Sequence, residues 1–319
     1  MEFDFVKKIE EIINNDFYIN LFFAIKEDDS VALKLADLEN GRTQDNLKLQ
    51  FKKLVEKEFI NNKDLKIENL SIADDTTNTL YHYDYSEFPE TLNYFSKFKY
   101  RMNWKKFSFD EDEINNIKAY IIVIGDSVDN YFVLYQKFYP FFLMDRSKNC
   151  YIIKSKKTFK EIDKDILKIS NNYNFIKMDD EIYIKDIKTL ESAGFKKIIM
   201  KKADEGINYI KKLGIIDNND DFSDYIKKDV SLARKMNKVY KVSEVIKKNI
   251  STNEIIEFTK NEESLKGKFR YNEDETKLVL KTDKSKKEFL DLLGDNFLVS
   301  KLTNQYYNSS VKEPINNDD

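Results

Sequence analysis

Residues 119–138, AYIIVIGDSVDNYFVLYQKF, contain the pattern that decides the fold. Two apolar runs flank the polar segment DSVD, an arrangement typical of two strands joined by a turn. Continuous apolar runs of this length favour central strands that are covered on both faces. This stretch therefore predicts the middle of a buried sheet.

Helical and strand patterns alternate on the N-terminal side of this hairpin. Apolar residues recur at helical spacing in residues 3–14 and 47–59, and a proline precedes a third predicted helix at residues 90–98. The strand-like runs between these helices are residues 17–27, 30–38, 66–74 and 79–87. The pattern predicts that both helices and strands build the first half of the chain.

The pattern changes from strands to helices near Lys188. Short strands are predicted at CYIIKS, FIKMD and EIYIKDI, and long helices at residues 190–214, 221–249 and 251–267, followed by a small hairpin at 268–280 and a helix at 284–293. We therefore predict an α+β fold with a mixed, mostly antiparallel sheet lobe and then a mainly helical lobe with a small β-hairpin. The predicted boundaries are 1–188 for the sheet lobe, 189–307 for the helical lobe with a C-terminal packing segment, and 308–319 for a flexible polar tail.

The composition indicates a folded protein of a reducing compartment. The 319 residues are 41% hydrophobic and include 24 Phe and 19 Tyr, whereas disordered chains are poor in aromatic residues. Cys150 is the only cysteine, so no disulfide can form within the chain. The N-terminus has acids where a signal peptide has bases, and every apolar run is far shorter than the roughly 20 residues of a membrane span. We expect a soluble, cytoplasmic protein.

Most catalytic chemistry is excluded by residue counts. His82 is the only histidine, and seven glycines form neither a phosphate-binding loop nor a nucleophile elbow. The sequence predicts no catalytic residue, no cofactor and no metal ligand. One enzymatic alternative stays open, a Mg²⁺-dependent nuclease that uses Asp179, Glu181, Asp186 and Lys188 of DDEIYIKDIK. Chance alone gives roughly ten [DE]-x-[KR] matches in so charged a chain, so a solvated strand edge explains this pattern equally well.

Basic residues are concentrated in residues 222–241. On one continuous helix, an apolar stripe of Phe222, Ile226, Val230, Ala233, Met236 and Tyr240 would lie opposite the cations. Residues 225–250 contain eight Lys/Arg and two acids, although the whole chain has a net charge of −3. Such a face could neutralise phosphates of a DNA backbone with little sequence preference. The predicted DNA-binding residues are Lys227, Lys228, Arg234, Lys235, Lys238 and Lys241.

Two other interpretations of the basic face remain open. It could be an ordinary solvated surface, or it could bind acidic protein or anionic lipid without binding DNA. A second basic stretch, residues 146–168, contains eight bases and lies on predicted strands.

The C-terminal segment FLDLLGDNFLVSKLTNQYYNSS, residues 289–310, resembles the C-terminal hallmark of the KwaB subunit family of the bacterial Kiwa anti-phage system. VALKLADL, the 119–138 hairpin, IYIKDIKTLESAGFKK and VYKVSEVIK agree with that family in order and spacing. The resemblance implies that the apolar residues of the segment pack back onto the domain: Phe289, Leu292, Leu293, Phe297, Leu298, Leu302, Tyr306 and Tyr307.

The resemblance also implies a function and partners. It implies a cytoplasmic, homodimeric effector subunit that binds phage DNA and works with a multi-spanning membrane partner. The subunit would be peripheral to the inner membrane through that partner. No compact family motif carries site residues over, so the basic face stands on its charge pattern alone.

Overall fold

The computed structural model describes residues 2–38, 41–73, 77–101, 103–108, 114–144, 150–156, 158–162, 166–300, 302–303 and 305–308. The chain forms two compact units. The sheet unit comprises Met1–Ile67, Asn78–Tyr83 and Phe88–Ala193, and the helical unit comprises Glu68–Thr77, Asp84–Glu87 and Gly194–Asp319. Two short segments of the first half of the sequence therefore belong to the helical unit.

The sheet unit is built around an eight-stranded sheet in the described part of the chain, with strand order β2-β1-β5-β6-β11-β12-β4-β3. Each pairing with a described register in this sheet is antiparallel. The strands are β1 (Tyr18–Glu27), β2 (Ser30–Leu35), β3 (Lys66–Asn69), β4 (Thr79–His82), β5 (Ile117–Gly125), β6 (Tyr131–Lys137), β7 (Leu143–Met144), β8 (Ile152–Ser155), β9 (Thr158–Glu161), β10 (Ile166–Leu167), β11 (Phe175–Met178) and β12 (Glu181–Ile184). The helices are α1 (Glu2–Asn14), α2 (Gly41–Val55), α3 (Asn93–Ser96) and α4 (Ile187–Leu190), and π-helical turns follow α2 at Glu56–Ile60 and α4 at Glu191–Phe195.

The hairpin of β5 and β6 lies in the middle of this sheet, as the opening stretch predicts. Lys118 is the only exposed residue of β5, and every residue between the two ends of β6 is buried. One face of the sheet packs against α1 and α2, where Ile9 and Phe51 share a core with Tyr120 and Ile122. These observations confirm the α+β class and the mostly antiparallel sheet.

The other face of the sheet is covered by α3 and the segment after it. The predicted helix at 90–98 is shorter than expected: a 3₁₀ turn at Glu90–Leu92 leads into α3, and the helix ends at Ser96. Phe98 and Trp104 then place their rings against Phe22 of β1 at centroid distances of 5.7 and 5.1 Å. The helix ends here because the following chain is extended across the sheet, with aromatic side chains directed inward.

The helical unit contains most of the elements predicted after Lys188, and two of the predicted helices are divided. Its helices are α5 (Lys196–Leu213), α6 (Asn219–Lys227), α7 (Val230–Val242), α8 (Glu244–Lys247), α9 (Thr252–Asn261) and α10 (Asp283–Leu293), and its strands are β13 (Arg270–Tyr271), β14 (Leu278–Val279), β15 (Phe297–Val299) and β16 (Tyr306–Asn308). The first predicted helix is interrupted at Gly194, whose φ of 109° is not helical, and its residues up to Ala193 belong to the sheet unit. The prediction of one continuous helix through residue 229 is wrong. Asp229 has extended backbone angles, and its carboxylate accepts a 2.7 Å hydrogen bond from the Ser231 amide, so it caps a new helix.

The C-terminal segment packs only in part as the resemblance implies. Phe289, Leu292 and Leu293 of α10 are buried, whereas Leu302 is 93% exposed and Tyr307 is 50% exposed. The expectation that Leu302 and Tyr307 are packed is therefore wrong. β15 and β16 form a two-stranded hairpin of their own, and the two residues lie at its turn and on its second strand. Beyond Asn308, the predicted polar tail lies outside the described residues.

Within the described part of the chain, no helix combines the length and the apolar character that a membrane crossing requires.

Candidate nucleic-acid interface

Helices α6 and α7, here called the cationic helices, carry five of the six predicted DNA-binding residues, and Lys228 lies at the junction between them. Their apolar stripe is placed as expected, because Phe222, Ile226, Ala233 and Met236 are buried. Helix α5 packs closely on α7: a Cβ atom on Gly206 of α5 would lie 2.8 Å from the Met236 Cε atom. The apolar stripe therefore packs both helices into the core of the helical unit.

The two cations of the first cationic helix and its junction form surface ion pairs. The Lys227 ammonium lies 2.6 Å from Asp204, and the Lys228 ammonium lies 3.4 Å from Asp283. All four side chains are substantially exposed. Ion pairs of this kind contribute roughly 0–1 kcal/mol, so a competing phosphate could displace either carboxylate at small cost.

Lys235 has a structural partner instead. Its ammonium pairs with Asp291 of α10, whose side chain is only 6% exposed and also accepts a hydrogen bond from Asn296. A buried carboxylate requires a compensating charge, since an unpaired one is strongly destabilising. Lys235 therefore compensates the buried charge of Asp291 in the helical unit.

Lys241 holds the two segments that the first half of the sequence contributes to the helical unit. Its ammonium lies 2.5 Å from the Ser71 hydroxyl and 2.7 Å from the Asp84 carboxylate, and the Ser71 side chain and backbone also bond to Asp84. Burial raises the pKa of Asp84, but the hydrogen bonds from Lys241 and Ser71 outweigh it and bring that pKa below its ordinary value. This network fastens Ser71 and Asp84 to α7.

The remaining two predicted cations are less accessible than expected. Arg234 and Lys238 are both half-buried, and both have interaction partners within the chain. Of the six residues, Lys227 and Lys228 form exposed ion pairs, and Lys235 and Lys241 hold carboxylates of the helical unit. The helical pattern grouped these residues on one continuous helix, which the break at Asp229 divides, and it could not show the acids that meet four of them.

The carboxylates of the nuclease alternative have other partners. Asp179 pairs with Lys8 of α1 at 2.7 Å, and Glu181 pairs with His82 of β4. Both acids line a cleft of about 460 Å³ in the sheet unit. Among the residues that the structure describes, no three His, Cys, Asp or Glu side chains are grouped as a metal site requires.

Asp186 has a helix-capping role. Its carboxylate accepts hydrogen bonds from the Lys188 and Thr189 amides at 3.0 and 3.3 Å and from the Thr189 hydroxyl at 2.6 Å. It is therefore the N-cap of α4, a role that a sequence of Asp before an apolar turn often indicates. The Asp186-x-Lys188 pattern is explained by this cap.

A different group of cations lies on the sheet unit, in residues 97–101, here called the cationic segment. Lys97, Lys99 and Arg101 are exposed, whereas Phe98 between them is buried and Tyr100 is half-buried. None of the three cations lies within 4 Å of a carboxylate of any described residue. Lys97 ends α3 in a turn conformation, and Lys99 and Arg101 follow it as exposed residues separated by half-buried Tyr100.

The cationic segment is fixed to the sheet by hydrogen bonds and stacked rings. Phe98 stacks on Trp104 at 5.4 Å, and Tyr100 stacks on Tyr18 at 5.3 Å. The Arg101 guanidinium lies 4.8 Å from the centre of the Trp104 ring. The side chains therefore hold the segment in one position, which lowers the entropy that ordering its cations on a ligand would cost.

A buried lysine anchors the start of this segment. Lys177 of β11 donates hydrogen bonds to the carbonyls of Ser96 and Phe98, at 2.6 and 2.8 Å. Burial lowers the pKa of Lys177, while nearby Asp180 raises it and the charge of Lys99 lowers it. Lys177 thus ties the backbone of the cationic segment to the central sheet.

The cationic segment is not among the predicted DNA-binding residues, although its sequence has features of a nucleic-acid-binding surface. Residues 97–106, KFKYRMNWKK, contain five bases and no acid, with Phe98, Tyr100 and Trp104 interleaved. Basic residues interleaved with aromatic ones are a feature of nucleic-acid-binding surfaces. The assignment of residues 90–98 to a helix obscured the alternation. Lys106 at the far end is paired with Asp37 at 3.1 Å.

Comparison with known proteins identifies the family. The family model described as "Kiwa protein KwaB-like" matches residues 114–303. The chain is 29% identical over 316 residues to the Kiwa protein KwaB of Escherichia coli O55:H7 (strain RM12579 / EPEC), and the alignment covers 97% of each chain. No solved structure matches the chain. The chain therefore belongs to the Kiwa protein KwaB-like family, the family of anti-phage defence components that its C-terminal segment resembles.

Proposed function

We propose that this chain is the DNA-binding effector subunit of a Kiwa defence complex and that it contacts the nucleic-acid backbone with little sequence preference. The single observation that carries the proposal is the cationic segment, where Lys97, Lys99 and Arg101 are exposed and have no carboxylate within 4 Å among the described residues. A cation without a protein partner gains the most from a phosphate, because no existing ion pair has to be broken.

The geometry of the cationic segment suits a phosphate strand. The three exposed cations lie within five residues of a segment that hydrogen bonds and stacked rings hold against the sheet. Cations this close in sequence could contact neighbouring phosphates of one strand. Two of the three cations are lysines, which favour backbone contact over bidentate reading of base edges.

The cationic helices form a second surface in the same proposal. The exposed Lys227 and Lys228 would exchange a carboxylate for a phosphate, at the small cost of a surface ion pair. Lys241, Arg234, Lys235 and Lys238 would add to the positive potential around them. Four of the six have described carboxylate partners, so we expect this surface to contribute less than the cationic segment.

The family resemblance supports the remaining parts of the proposal. The chain would act as a homodimer in the cytoplasm and would reach the inner membrane through a multi-spanning partner subunit. A second protomer would double the number of exposed cations available to one duplex, so that an acidic chain could still bind DNA locally.

Charge reversal in the cationic segment tests the proposal directly. Duplex DNA of mixed sequence is titrated with the protein by fluorescence anisotropy between roughly 50 and 200 mM salt. The triple variant Lys97→Glu, Lys99→Glu, Arg101→Glu should bind at least about 100-fold more weakly, because three attractions become repulsions. Circular dichroism should show an unchanged fold, since the three side chains are exposed.

Two matched triple variants make the result specific. Lys26, Lys53 and Lys63 are exposed residues of the sheet unit, and changing all three to Glu alters the net charge equally; we expect a loss of only a few-fold. Lys227→Glu, Arg234→Glu, Lys238→Glu probes the cationic helices. Loss of binding in this variant alone would move the contact to α6 and α7, and equal losses in all three would reduce the effect to net charge.

A further inference from the structure

The hairpin of β8 and β9 carries large apolar side chains that the fold does not cover. Ile152 is 59% exposed, Ile153 is 50% exposed and Phe159 is 66% exposed. In the described residues the two strands pair only with each other. An isolated two-stranded hairpin with so much exposed apolar surface is marginally stable in water, so contact with another phase or molecule would stabilise it.

The exposed apolar residues lie on both faces of the hairpin. Residues that pair across the two strands share a face, and the pairs are Ile153 with Lys160 and Lys154 with Phe159. Ile152 and Phe159 therefore occupy one face, and Ile153 occupies the other. A flat protein surface would cover only one face of the hairpin, whereas headgroups and the upper acyl segments can surround a hairpin that lies partly submerged in the interface on both.

The charge of the hairpin selects the kind of lipid. Residues 150–161 contain four lysines and one acid, Glu161. Lys154, Lys156 and Lys160 are exposed, and none lies within 4 Å of a carboxylate of a described residue. Lysines beside exposed Ile and Phe are the composition of elements that lie in the interface of an anionic bilayer.

Other occupants fit these features less well. A DNA backbone would satisfy the lysines but would leave the three apolar side chains in water. A second copy of the hairpin would bring two strongly positive surfaces together. Among the described residues, each strand also has a backbone edge without a strand partner, which cannot enter hydrocarbon without loss of hydrogen bonds, so the hairpin would stay at the depth of the lipid headgroups.

We propose that β8 and β9 form a membrane-surface anchor that binds anionic phospholipid directly, with Ile152, Ile153 and Phe159 at the acyl boundary and Lys154, Lys156 and Lys160 among the headgroup phosphates. This site is separate from the cationic segment and does not depend on DNA binding. It gives the chain a contact with the bilayer that needs no partner subunit.

Vesicle flotation with the full chain tests the anchor. Vesicles of phosphatidylcholine alone are compared with vesicles of phosphatidylcholine and phosphatidylglycerol. We expect binding only to the mixed vesicles and a decrease in binding as salt rises. The triples Ile152→Ser, Ile153→Ser, Phe159→Ser and Lys154→Gln, Lys156→Gln, Lys160→Gln should each reduce binding by at least about tenfold.

Two controls separate the anchor from other effects. Leu49→Ser with Phe258→Ser removes exposed apolar side chains elsewhere and should leave vesicle binding unchanged. The Lys97, Lys99, Arg101 reversal should lose DNA binding and keep vesicle binding, so the failure of one proposal is distinct from the failure of the other. A tryptophan at position 159 should show a blue-shifted emission on anionic vesicles. Wild-type protein that ignores anionic vesicles, or an apolar triple that binds them normally, would overturn the proposal.

Discussion

The cationic helices and the cationic segment both carry clustered basic residues, but the acids around them differ. On α6 and α7, Lys227, Lys228, Lys235 and Lys241 each meet an aspartate. On residues 97–101, no cation has a described carboxylate within 4 Å. In the first region the positive charge serves mainly to compensate acids of the same unit, whereas in the second it faces solvent.

This difference shows why a count of charges along a helix is a weak predictor of a binding surface. A helical pattern of cations and apolar residues predicts only which side of their own helix the cations occupy. Whether they remain available depends on neighbours that other parts of the chain supply. The predictions below test the division between structural and available cations, beginning with the largest expected effect.

The strongest contrast should appear in stability when one lysine of each region becomes methionine. Lys235→Met leaves Asp291 nearly buried without its cation, and we expect a loss of about 2 kcal/mol in the free energy of unfolding. Lys99→Met removes an exposed charge and should change that free energy by less than about 0.5 kcal/mol. Urea unfolding followed by circular dichroism measures both.

Lys235→Arg serves as the control, because it keeps the positive charge and should retain most of the stability. If both methionine variants were equally stable, Lys235 would be an ordinary surface cation, and the distinction between the two regions would fail.

A smaller effect should appear as a pH dependence at Asp84. The pKa of this carboxyl is below its ordinary value in the folded chain, so its contribution to stability is complete above the unfolded pKa of about 3.9 and is lost as pH falls through the folded pKa. Asp84→Asn should therefore cost about 1 kcal/mol at neutral pH and progressively less below pH of about 4.

Urea midpoints of the wild type and of Asp84→Asn, compared at neutral and acid pH, provide the measurement. A constant difference between the two proteins at all pH values would show that the amide disturbs packing and that the charge of Asp84 contributes nothing. Lys241→Met should behave similarly, because it removes the cation that lowers the Asp84 pKa.

Local patterns in the sequence predict most of the fold. Alternation and apolar runs identify β5 and β6 as the centre of the sheet, and helical spacing identifies α1, α2 and α5, because each element buries a face that its own residues define. The break before α7 could also be predicted from the sequence. Asp229 precedes an apolar residue and caps the next helix, which is a local signal that the apolar stripe concealed.

The candidate site is less predictable because its decisive contacts join distant residues. Lys235 and Asp291 are 56 positions apart, and Lys241 and Asp84 are 157 positions apart. No periodicity links such pairs, and they exist only because the tertiary fold brings the segments together. The cationic segment, in contrast, was within reach of sequence analysis, since KFKYRMNWKK shows five bases without an acid.

The smallest and most discriminating effect concerns Lys228, which pairs with Asp283 at the surface. If α6 and α7 contact DNA, Asp283→Asn releases this lysine and removes a negative charge, so affinity should rise by about twofold. If the cationic segment alone binds DNA, affinity should not change. Anisotropy titrations at several salt concentrations distinguish these outcomes.

Lys99→Gln is the companion measurement for the other region. Loss of one phosphate contact should reduce the slope of log Kd against log salt by about 0.9, whereas Lys228→Gln should reduce it by less, because Asp283 already neutralises that lysine in the unbound chain. Equal slopes for the two variants would mean that the Asp283 pair does not weaken the response of Lys228. A larger change for Lys228→Gln would reverse the ranking of the two regions and would place the main phosphate contact on the helices.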